Sequence, residues 1–384
     1  MTDHADTQPL PEGGWSEALD TFENATVVPP LAGGFVQPAG LLDAQGGYIP
    51  QGALWRKFRP LTTQPEQPAK APERLSGRWL WGGVLWAHFG HFLVESTARL
   101  WALNHLDGPI DGILFIPKRP RSGDQVRGFQ REFVDLMGHQ VPIKVAADPV
   151  QVDQLIVPGQ GFGLGPITQG TPKFRAAIHQ AFARDVKPEG AEKLYISRSA
   201  LGLGKGGLLG EERLEQHLSD QGYHIYHPQQ HTITEQLAQY KAAKQVVAAD
   251  GSALHLFAMV GRQDQPVAMI LRRQSSANNL LAVNVRAFCG NDTLVINALR
   301  TEWLKANAQR SSRLSFGELD HTKISKALGD AGFVAPDSDW PMLTDAERAQ
   351  LFQDKKLTDN DQFIESPRYV RLRVKAMRQQ RRAS

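Results

Sequence analysis

A polar stripe in residues 86–106, WAHFGHFLVESTARLWALNHL, carries the side-chain types of an acid–base site. A helix turns by about 100° per residue, and this spacing places four polar side chains on one face: His88, His91, Glu95 and Arg99. A carboxylate one turn after a histidine can fix the tautomer of the imidazole and raise its basicity. The spacing therefore predicts His91 and Glu95 as a catalytic pair, with either of them as the base.

The other members of the stripe are predicted to meet a ligand. Histidine is a weaker helix former than Lys, Glu or Gln, which a plain solvated face would favour. Gly90 separates the two histidines, although alanine would stabilise a helix there by about 1 kcal/mol more. A glycine is explained if a ligand approaches the backbone, so His88, Gly90 and Arg99 are assigned to the acceptor side of a site. The alternative is an ordinary solvent-exposed helix face.

A metal site is a second interpretation of the same stripe. His88, His91 and Glu95 are residue types that bind zinc. Their order differs from that of the metalloproteases, in which a glutamate directly follows the first histidine. We therefore predict no metal and no cofactor. A metal hydrolase stays a competing hypothesis, which metal analysis of the purified protein would decide.

Arg198 follows a predicted strand, KLYISRS at 193–199, and is therefore expected at the carboxyl edge of a parallel sheet. Open α/β folds bind ligands at this edge, and a guanidinium there suits a diphosphate. The alternative is a surface ion pair. The next segment, GLGKGG at 202–207, is not a P-loop, because no Ser or Thr follows Lys205 and the glycine spacing differs. It is predicted to be a loop in which Lys205 contacts phosphate.

A further anion site is predicted at a strand–turn–helix segment, QVVAADGSALHLFAMVG. The strand ends at Asp250, Gly251 permits a tight turn, and Ser252 can cap the following helix. Free N–H groups and the helix dipole attract anions at such a terminus, and His255 lies in the first turn. These four residues are assigned, with the two cations above, to the binding of a phosphate-containing ligand. A structural turn without a ligand is the alternative.

Strands alternate with helices from about residue 77, and this rhythm predicts two α/β halves, each with a covered parallel sheet. The predicted organisation has four parts: an N-terminal extension with short strands (1–76), a first Rossmann-like domain (77–171), a second Rossmann-like domain (172–290) and a C-terminal helical extension with a basic tail (291–384). Within the last part, residues 297–310 are predicted to be helical.

Cysteine content and hydropathy limit the class of protein. The 384 residues include one cysteine, Cys289, which excludes an internal disulfide and a cysteine-based metal cluster. The N-terminus lacks the pattern of a secretory signal. No apolar run approaches the roughly 18 residues of a membrane span. We therefore expect a cytoplasmic protein.

The formal net charge of +3 is unevenly distributed along the chain. Residues 368–384 contain seven Arg or Lys and no acid, so the rest of the chain carries a net charge of −4. A mildly acidic body argues against nucleic-acid binding. The tail is either solvated and disordered or a basic segment that holds the protein peripherally on an anionic membrane, at its inner face.

Taken in order, the three polar segments resemble the catalytic domain of glycosyltransferase family 61, over roughly residues 77–275. The first helix of the family carries Asn-Phe-Gly-His-Phe and then an acidic residue. Here residues 88–95 are HFGHFLVE, with His88 in place of the asparagine. A strand ending in Tyr-Ile-Ser-Arg is matched by residues 195–198, and a glycine turn before an apolar helix by residues 250–255. Two shorter matches lie between them: residues 222–225 and residues 235–236.

The resemblance implies a GT-B fold, in which two Rossmann-like domains face a central cleft, here with extra C-terminal helices. It implies an inverting, metal-independent hexosyl- or pentosyltransferase. The donor would be a nucleotide sugar and the acceptor a hydroxyl of a glycan or lipid-linked molecule, as in surface polysaccharide biosynthesis. An inactive nucleotide-sugar-binding protein is the alternative, because His88 departs from the family pattern. No feature of the sequence selects the donor sugar, the nucleotide, the acceptor or the oligomeric state.

Overall fold

The computed structural model describes residues 8–122, 125–275, 277–357 and 363–383. The chain divides into two compact units. Unit 1 comprises Met1–Lys187, His255–Gly261 and Val283–Gly290, and unit 2 comprises Pro188–Leu254, Arg262–Ala282 and Asn291–Ser384. Each unit contains its own sheet with parallel strands, so the predicted α/β class is confirmed. The limits of the four predicted parts stay predictions.

Unit 1 is built on a six-stranded sheet in the order β3-β1-β10-β7-β8-β9. Its strands, with those of two small two-stranded sheets, are β1 (Leu19–Val28), β2 (Gln37–Pro38), β3 (Gly40–Leu42), β4 (Trp55–Arg56), β5 (Arg59–Pro60), β6 (Thr62–Thr63), β7 (Glu73–Leu85), β8 (Gly112–Pro117), β9 (Ile143–Val145) and β10 (Val150–Pro158). Strands β7 to β10 are parallel, and β1 runs antiparallel to β10 and β3. The residues before β7 therefore supply two strands of the main sheet, β1 and β3.

Burial explains why the strands of unit 1 lie where they do. Every residue of β8, GILFIP, is buried, as its continuous apolar run predicts. The carboxyl-terminal half of β7 is buried in the same way. Because β7 and β8 are parallel neighbours, the residues that follow them, Trp86 and Lys118, leave the sheet at the same edge.

The segment after β7 is not the continuous α-helix that its polar stripe predicts. It forms a single turn, α1 (Phe89–His91), then a π-helical turn over Phe92–Ser96 and a 3₁₀ segment over Leu100–His105. The other helices of unit 1 are α2 (Gly128–Asp135) and α3 (Pro172–Ala181). The change of helix type rotates later side chains away from the predicted stripe, which matters for Arg99 below.

Unit 2 contains a five-stranded parallel sheet in the order β13-β11-β14-β15-β16 and a four-stranded sheet in the order β12-β18-β17-β19. The strands are β11 (Lys193–Ile196), β12 (Gly207–Leu208), β13 (His224–Tyr226), β14 (Gln245–Ala249), β15 (Val267–Ile270), β16 (Thr293–Ile296), β17 (Leu299–Lys305), β18 (Phe316–Leu319) and β19 (Phe363–Glu365). The helices are α4 (Glu211–Asp220), α5 (Ile233–Ala242), α6 (Ala253–Ala258), α7 (Ala277–Cys289), α8 (His321–Asp330), α9 (Asp345–Asp354) and α10 (Pro367–Ala383). By sequence range, α6 and α7 begin in unit 2 and end in unit 1.

Two predictions about the last hundred residues meet different outcomes. The helix predicted over 297–310 is wrong, because Leu299–Lys305 is the strand β17, paired on both sides. The partner strands supply a backbone pairing that the local sequence does not reveal. The extra C-terminal helices are present as α8, α9 and α10. The basic tail is helical over its described residues, as α10.

Membrane-spanning potential is low in the described ranges. Among the helices of those ranges, none is both long and apolar enough to cross a bilayer.

Candidate active site

His91 and Glu95 form a hydrogen-bonded pair in unit 1. The Nδ1 atom of His91 lies 3.0 Å from Oε2 of Glu95. Because Nδ1 faces a carboxylate oxygen, we assign the proton of the neutral ring to Nδ1, which leaves the lone pair on Nε2. The Glu95 side chain is fully buried, whereas 31% of the His91 side chain is exposed. The imidazole is therefore accessible to a substrate, and the carboxylate orients it from behind.

Arg56 holds the carboxylate of this pair, and sequence analysis missed it. Its Nε donates to Oε1 of Glu95 and its Nη2 donates to Oε2, both at 2.7 Å. Burial by itself would raise the pKa of Glu95, but hydrogen bonds from His91 and Arg56 outweigh it and lower that pKa. Glu95 is therefore ionised at neutral pH with both oxygens occupied. This arrangement favours His91 over Glu95 as the proton acceptor.

Aromatic and cationic groups line the other side of the histidine. The Trp86 ring stacks on the His91 ring at 4.6 Å between centroids. Lys118 is buried, lies 5.4 Å from the centre of the Trp86 ring, and donates to the Phe35 carbonyl at 2.9 Å and to Oε1 of Gln37 at 2.7 Å. Burial, and then the charge of Arg56, lower the pKa of Lys118 to about 8. The site is therefore walled by residues from both the N-terminal segment and the sheet edge.

Two of these missed residues had signals in the sequence. Lys118 directly follows β8, so the carboxyl-edge argument applied to Arg198 applies equally to it. Arg56 lies in a short basic and aromatic segment, WRKFRP at 55–60. Nothing local in that segment indicates Glu95 as its partner, because 39 residues separate the two.

The remaining residues of the stripe have different surroundings. His88 is exposed, and its ring lies 5.2 Å from that of His91. Gly90 is buried within α1. Arg99 is buried and turned inward, with its guanidinium donating to the backbone carbonyls of Pro158, Gln51 and Ala53. The acceptor-side assignment of Arg99 is therefore contradicted: its donors fasten segments of unit 1 together.

His255 is placed in unit 1 together with His91. Its Nδ1 lies 2.8 Å from Oδ1 of Asn284. Burial lowers the pKa of His255 to about 4, and the charge of His91 contributes in the same direction. His255 is therefore a neutral, hydrogen-bonded neighbour of the dyad. Its sequence assignment to a phosphate site stays a prediction, and a neutral ring offers an anion only a hydrogen bond.

A cluster of guanidinium groups lies at the carboxyl edge of the parallel sheet in unit 2. Arg198 follows β11, and Arg272 and Arg273 follow β15. Asp250, which ends the neighbouring strand β14, pairs through Oδ1 with Nε of Arg272 at 2.8 Å. Burial and the charge of Arg272 lower the pKa of Arg198 to about 10. The charges of Asp250 and Glu302 both act on Arg273. The cluster therefore gathers three guanidinium groups at the edge where α/β folds bind ligands.

Two donors of the cluster await an acceptor. Nε of Arg198 and Nη1 of Arg272 are buried and lack a hydrogen-bond partner within the ranges that the structure describes. Buried donors normally have a hydrogen-bond acceptor, so two guanidinium N–H groups without one indicate a ligand oxygen at this place. The missed residues Arg272 and Arg273 had the same sequence signal as Arg198, an arginine after an apolar strand.

The turn after β14 contains a glycine, Gly251, that lies against this cluster. A Cβ atom on Gly251 would lie 2.6 Å from Nη1 of Arg198, so the glycine makes room for the guanidinium. Ser252 precedes a helix of only six residues, α6, and the helix-terminus anion site predicted there gains no support from so short an element. Lys205 is exposed at the end of a 3₁₀ turn. The guanidinium cluster is the better anion site.

A pocket of about 380 Å³ adjoins Arg198, and Phe316 and Glu211 help to line it. Oε1 of Glu211 accepts from the Tyr195 hydroxyl and from the Arg198 N–H, each at 2.9 Å. Oε2 is buried without a partner in the described chain. Burial raises the pKa of Glu211 to about 7. The pocket therefore combines an apolar wall with one unoccupied carboxyl oxygen.

Comparison with known families decides the class of this protein. Residues 89–263 match the family model described as Glycosyltransferase 61. The chain carries a glycosyltransferase 61 domain. The family resemblance inferred from sequence is thereby confirmed, and it implies glycosyltransferase activity, with a donor and an acceptor as substrates. No curated protein matches the chain.

The glycosyltransferase 61 match contains only part of the surroundings described above. His91, Glu95, Lys118 and Arg198 lie within the matched residues 89–263. Other groups lie outside it: Phe35, Arg56, Trp86, His88, Arg272 and Arg273. Both the dyad and the guanidinium cluster therefore depend on segments outside the matched range. In the described ranges no three His, Cys, Asp or Glu side chains come together as a metal site.

Proposed function

We propose that this glycosyltransferase transfers a hexosyl or pentosyl group from a nucleotide-sugar donor to an acceptor hydroxyl with inversion at the anomeric carbon. The observation that carries the proposal is the dyad itself, an accessible His91 held by a buried, ionised Glu95. The biological role we propose is surface polysaccharide biosynthesis, with a glycan or lipid-linked acceptor. The acceptor-side residues are His88 and the backbone at Gly90.

His91 acts as the general base. Its Nε2 takes the proton of the acceptor hydroxyl, and the hydroxyl oxygen attacks the anomeric carbon. The bond from that carbon to the diphosphate oxygen breaks, and the diphosphate leaves with the electron pair. Glu95, itself held by Arg56, keeps the ring in one tautomer and stabilises the imidazolium that forms. A single displacement of this kind inverts the configuration at the anomeric carbon.

The guanidinium cluster of unit 2 stabilises the charge that grows on the leaving diphosphate. Arg198 and Arg272 supply unpaired N–H groups, and Asp250 orients Arg272 through their ion pair. The pocket beside Arg198 takes the nucleoside, with Oε2 of Glu211 as a hydrogen-bond partner. Charge compensation by arginines needs no metal, and metal-independent catalysis is part of the proposal. Lys205, Ser252 and His255 stay proposed donor contacts.

The GT-B arrangement belongs to the same proposal. Two units, each with a sheet that contains parallel strands and with helices between strands in sequence, are the components that such a fold requires. Small-angle scattering with and without a saturating nucleoside diphosphate tests it. A GT-B enzyme closes on its donor and its radius of gyration falls, whereas an unchanged value in a binding-competent protein argues against that arrangement.

Substitutions in the dyad test the catalytic part. His91→Ala should lower turnover by about 10²- to 10⁴-fold, the usual contribution of a general base. Nucleoside diphosphate binding, measured by calorimetry, should be unchanged because Arg198 and Arg272, the proposed diphosphate ligands, lie in unit 2. His105→Gln, an exposed histidine of the same unit, is the matched control. Near-normal turnover in both His91→Ala and Glu95→Gln would refute the mechanism.

An inactive nucleotide-sugar-binding protein is the alternative function, favoured by His88 in place of the family asparagine. Purified protein is incubated with a panel of nucleotide sugars, with and without glycan acceptors. Release of nucleoside diphosphate supports the transferase. Donor binding without any release, in a protein with an intact thermal transition, supports the alternative.

A peripheral, cytoplasmic location at the inner face of a membrane completes the proposal. In α10, Arg368, Arg371, Lys375 and Arg378 recur at three- and four-residue intervals, which places them along one helix face. Such a stripe attracts anionic lipid by about 1 kcal/mol for each cation. Truncation after Pro367 should therefore abolish sedimentation with vesicles rich in phosphatidylglycerol. Unchanged sedimentation of the truncated protein would refute the tail as the anchor.

A further inference from the structure

A group of four cations, here called the cationic rim, lies beside the dyad in unit 1. Its members are Arg56, Arg59, Lys118 and Arg119. Arg56 contacts Glu95 and His91 directly, and the charges of Arg56 and Arg119 both act on Lys118. Arg56 and Arg59 come from the hairpin of β4 and β5, which lies outside the family match, whereas Lys118 and Arg119 lie within it. The rim therefore combines residues of an N-terminal hairpin with residues that follow a strand of the main sheet.

The rim holds more positive charge than its acids balance. Arg56 is paired with Glu95. Arg59, Lys118 and Arg119 make no ion pair with any part of the chain that the structure describes. Lys118 is buried, and its charge is unfavourable beside Arg56. A site that gathers like charges at a cost in stability is explained if an anion joins them.

Arg59 is held in position to meet such an anion. Its guanidinium carbon lies 4.8 Å from the centre of the Phe35 ring, and that of Arg56 lies 5.4 Å from the same ring. The buried Lys118 fixes the backbone of Phe35 through its carbonyl. Stacking on an aromatic ring leaves the N–H groups of a guanidinium free to bind in its plane. Arg59 is exposed, so these donors face solvent beside the dyad.

We propose that the acceptor is an anion, bound through a carboxylate or phosphate group by Arg59 of the cationic rim. The proposal rests on the proposed function, because it treats His91 as the group that meets the acceptor. A carboxylate or phosphate accepts two parallel N–H bonds from a guanidinium, which an uncharged sugar hydroxyl does not. The anion could belong to an acidic sugar or to the phosphate linkage of a lipid-linked sugar.

Three probes separate these sources in calorimetric titrations of the full-length protein. They are a hexuronic acid trisaccharide, a monosaccharide on a short-chain prenyl diphosphate, and a neutral trisaccharide. One anionic probe should bind about tenfold tighter than the neutral one, and its affinity should fall with added salt. Whichever anionic probe binds more tightly identifies the source of the charge.

Substitutions in the cationic rim test whether the rim provides that affinity. Arg59→Gln should weaken binding of the preferred anion about tenfold. Arg59→Lys should recover part of the lost affinity, because lysine has the positive charge but lacks the two parallel N–H donors of a guanidinium. Lys70→Gln, which removes an exposed lysine of the connector, is the matched control. Binding of nucleoside diphosphates should be the same in all of these proteins.

Several outcomes overturn the inference. Equal affinities for the three probes, no binding of either anionic probe, or an Arg59→Gln variant that matches the wild type would each do so. The turnover of His91→Ala, measured with any acceptor that supports transfer, tests the proposed function separately. His91→Ala could lose most of its turnover while Arg59→Gln binds the anionic probes as tightly as the wild type. That result would support the transferase mechanism and refute only the anionic acceptor.

Discussion

At the scale of single residues, the site in unit 1 depends on one ion pair whose carboxylate is closed to solvent. Both oxygens of Glu95 accept from Arg56, and the same carboxylate orients His91. Removing one partner of a buried pair leaves an uncompensated charge, which costs more than the pair contributes. The stability of this region and the tautomer of the base are therefore coupled.

Arg56→Met should destabilise the protein by about 3–5 kcal/mol at neutral pH, because it strands the buried Glu95 carboxylate. The folded pKa of Glu95 lies below its unfolded value of 4.5. The stabilisation that this ion pair gives to the folded protein is therefore fully present above pH 4.5. It is lost as the pH falls through the lower pKa of Glu95 in the folded protein. Urea titrations of both proteins between pH 7 and pH 3 should show the difference shrinking at the acid end. A difference independent of pH would contradict the coupling.

Gly251→Ala should weaken nucleoside diphosphate binding about tenfold, or about 1.4 kcal/mol. The added Cβ would lie 2.6 Å from Nη1 of Arg198 and push the guanidinium out of the cluster. Gly204→Ala is the control, because nothing lies within 4 Å of the Cβ built there. Calorimetry gives the affinities, and equal affinities of the two variants would show that Arg198 is not a ligand contact.

At the scale of elements, the packing of α8 on α4 places histidines where a charge is poorly tolerated. His321, the first residue of α8, is buried, and its ring lies 5.6 Å from that of His217 on α4. The Trp340 ring covers His217 from another side at 5.0 Å. Burial, followed by the charge of His217, lowers the pKa of His321 to about 4. Protonation of either ring is therefore unfavourable in the folded protein.

Unit 2 should lose stability when the pH falls from about 6.5 to about 4, because the unfolded state then binds a proton that folded His321 refuses. Each pKa unit is worth about 1.4 kcal/mol, so the loss from His321 is on the order of 3 kcal/mol. His321→Phe keeps an aromatic ring and removes the titration. Chemical unfolding at pH 7 and pH 5 should therefore give a smaller pH dependence for the variant, and equal dependences would contradict this account.

At the scale of the whole molecule, the two units have separate cores. One hydrophobic cluster packs around Trp81 and Leu155 in unit 1, and another around Tyr195 and Ile270 in unit 2. Proteins with more than one core often unfold in more than one step. A ligand that binds to one unit should therefore stabilise that unit more than the other.

A nucleoside diphosphate at 100 times its dissociation constant should add about 2.7 kcal/mol to the stability of the state that binds it. We expect the added protection from hydrogen exchange to lie in unit 2, near Arg198 and Arg272. A thermal-shift screen across nucleotide sugars would identify the donor at the same time. Arg272→Gln should reduce the shift. Protection confined to unit 1 would contradict the assignment of the phosphate site.

The sequence by itself determined what depends on local spacing. Alternating strands and helices predicted the α/β class, and the four-residue interval between His91 and Glu95 predicted their contact. Arg198 was found because the end of a parallel strand is also an edge of the sheet. The ordered set of segments indicated the family that the comparison then confirmed.

The tertiary structure decided what depends on contacts between distant segments. Arg56 reaches Glu95 from 39 residues away, and Arg272 reaches Asp250 from 22 residues away. The stripe that opened the sequence analysis was divided, because a π-helical turn kept His91 with Glu95 while Arg99 turned inward to bind three carbonyls. A helical period describes one element in isolation. Burial and pairing between elements determine which polar side chains meet a ligand and which ones hold the fold.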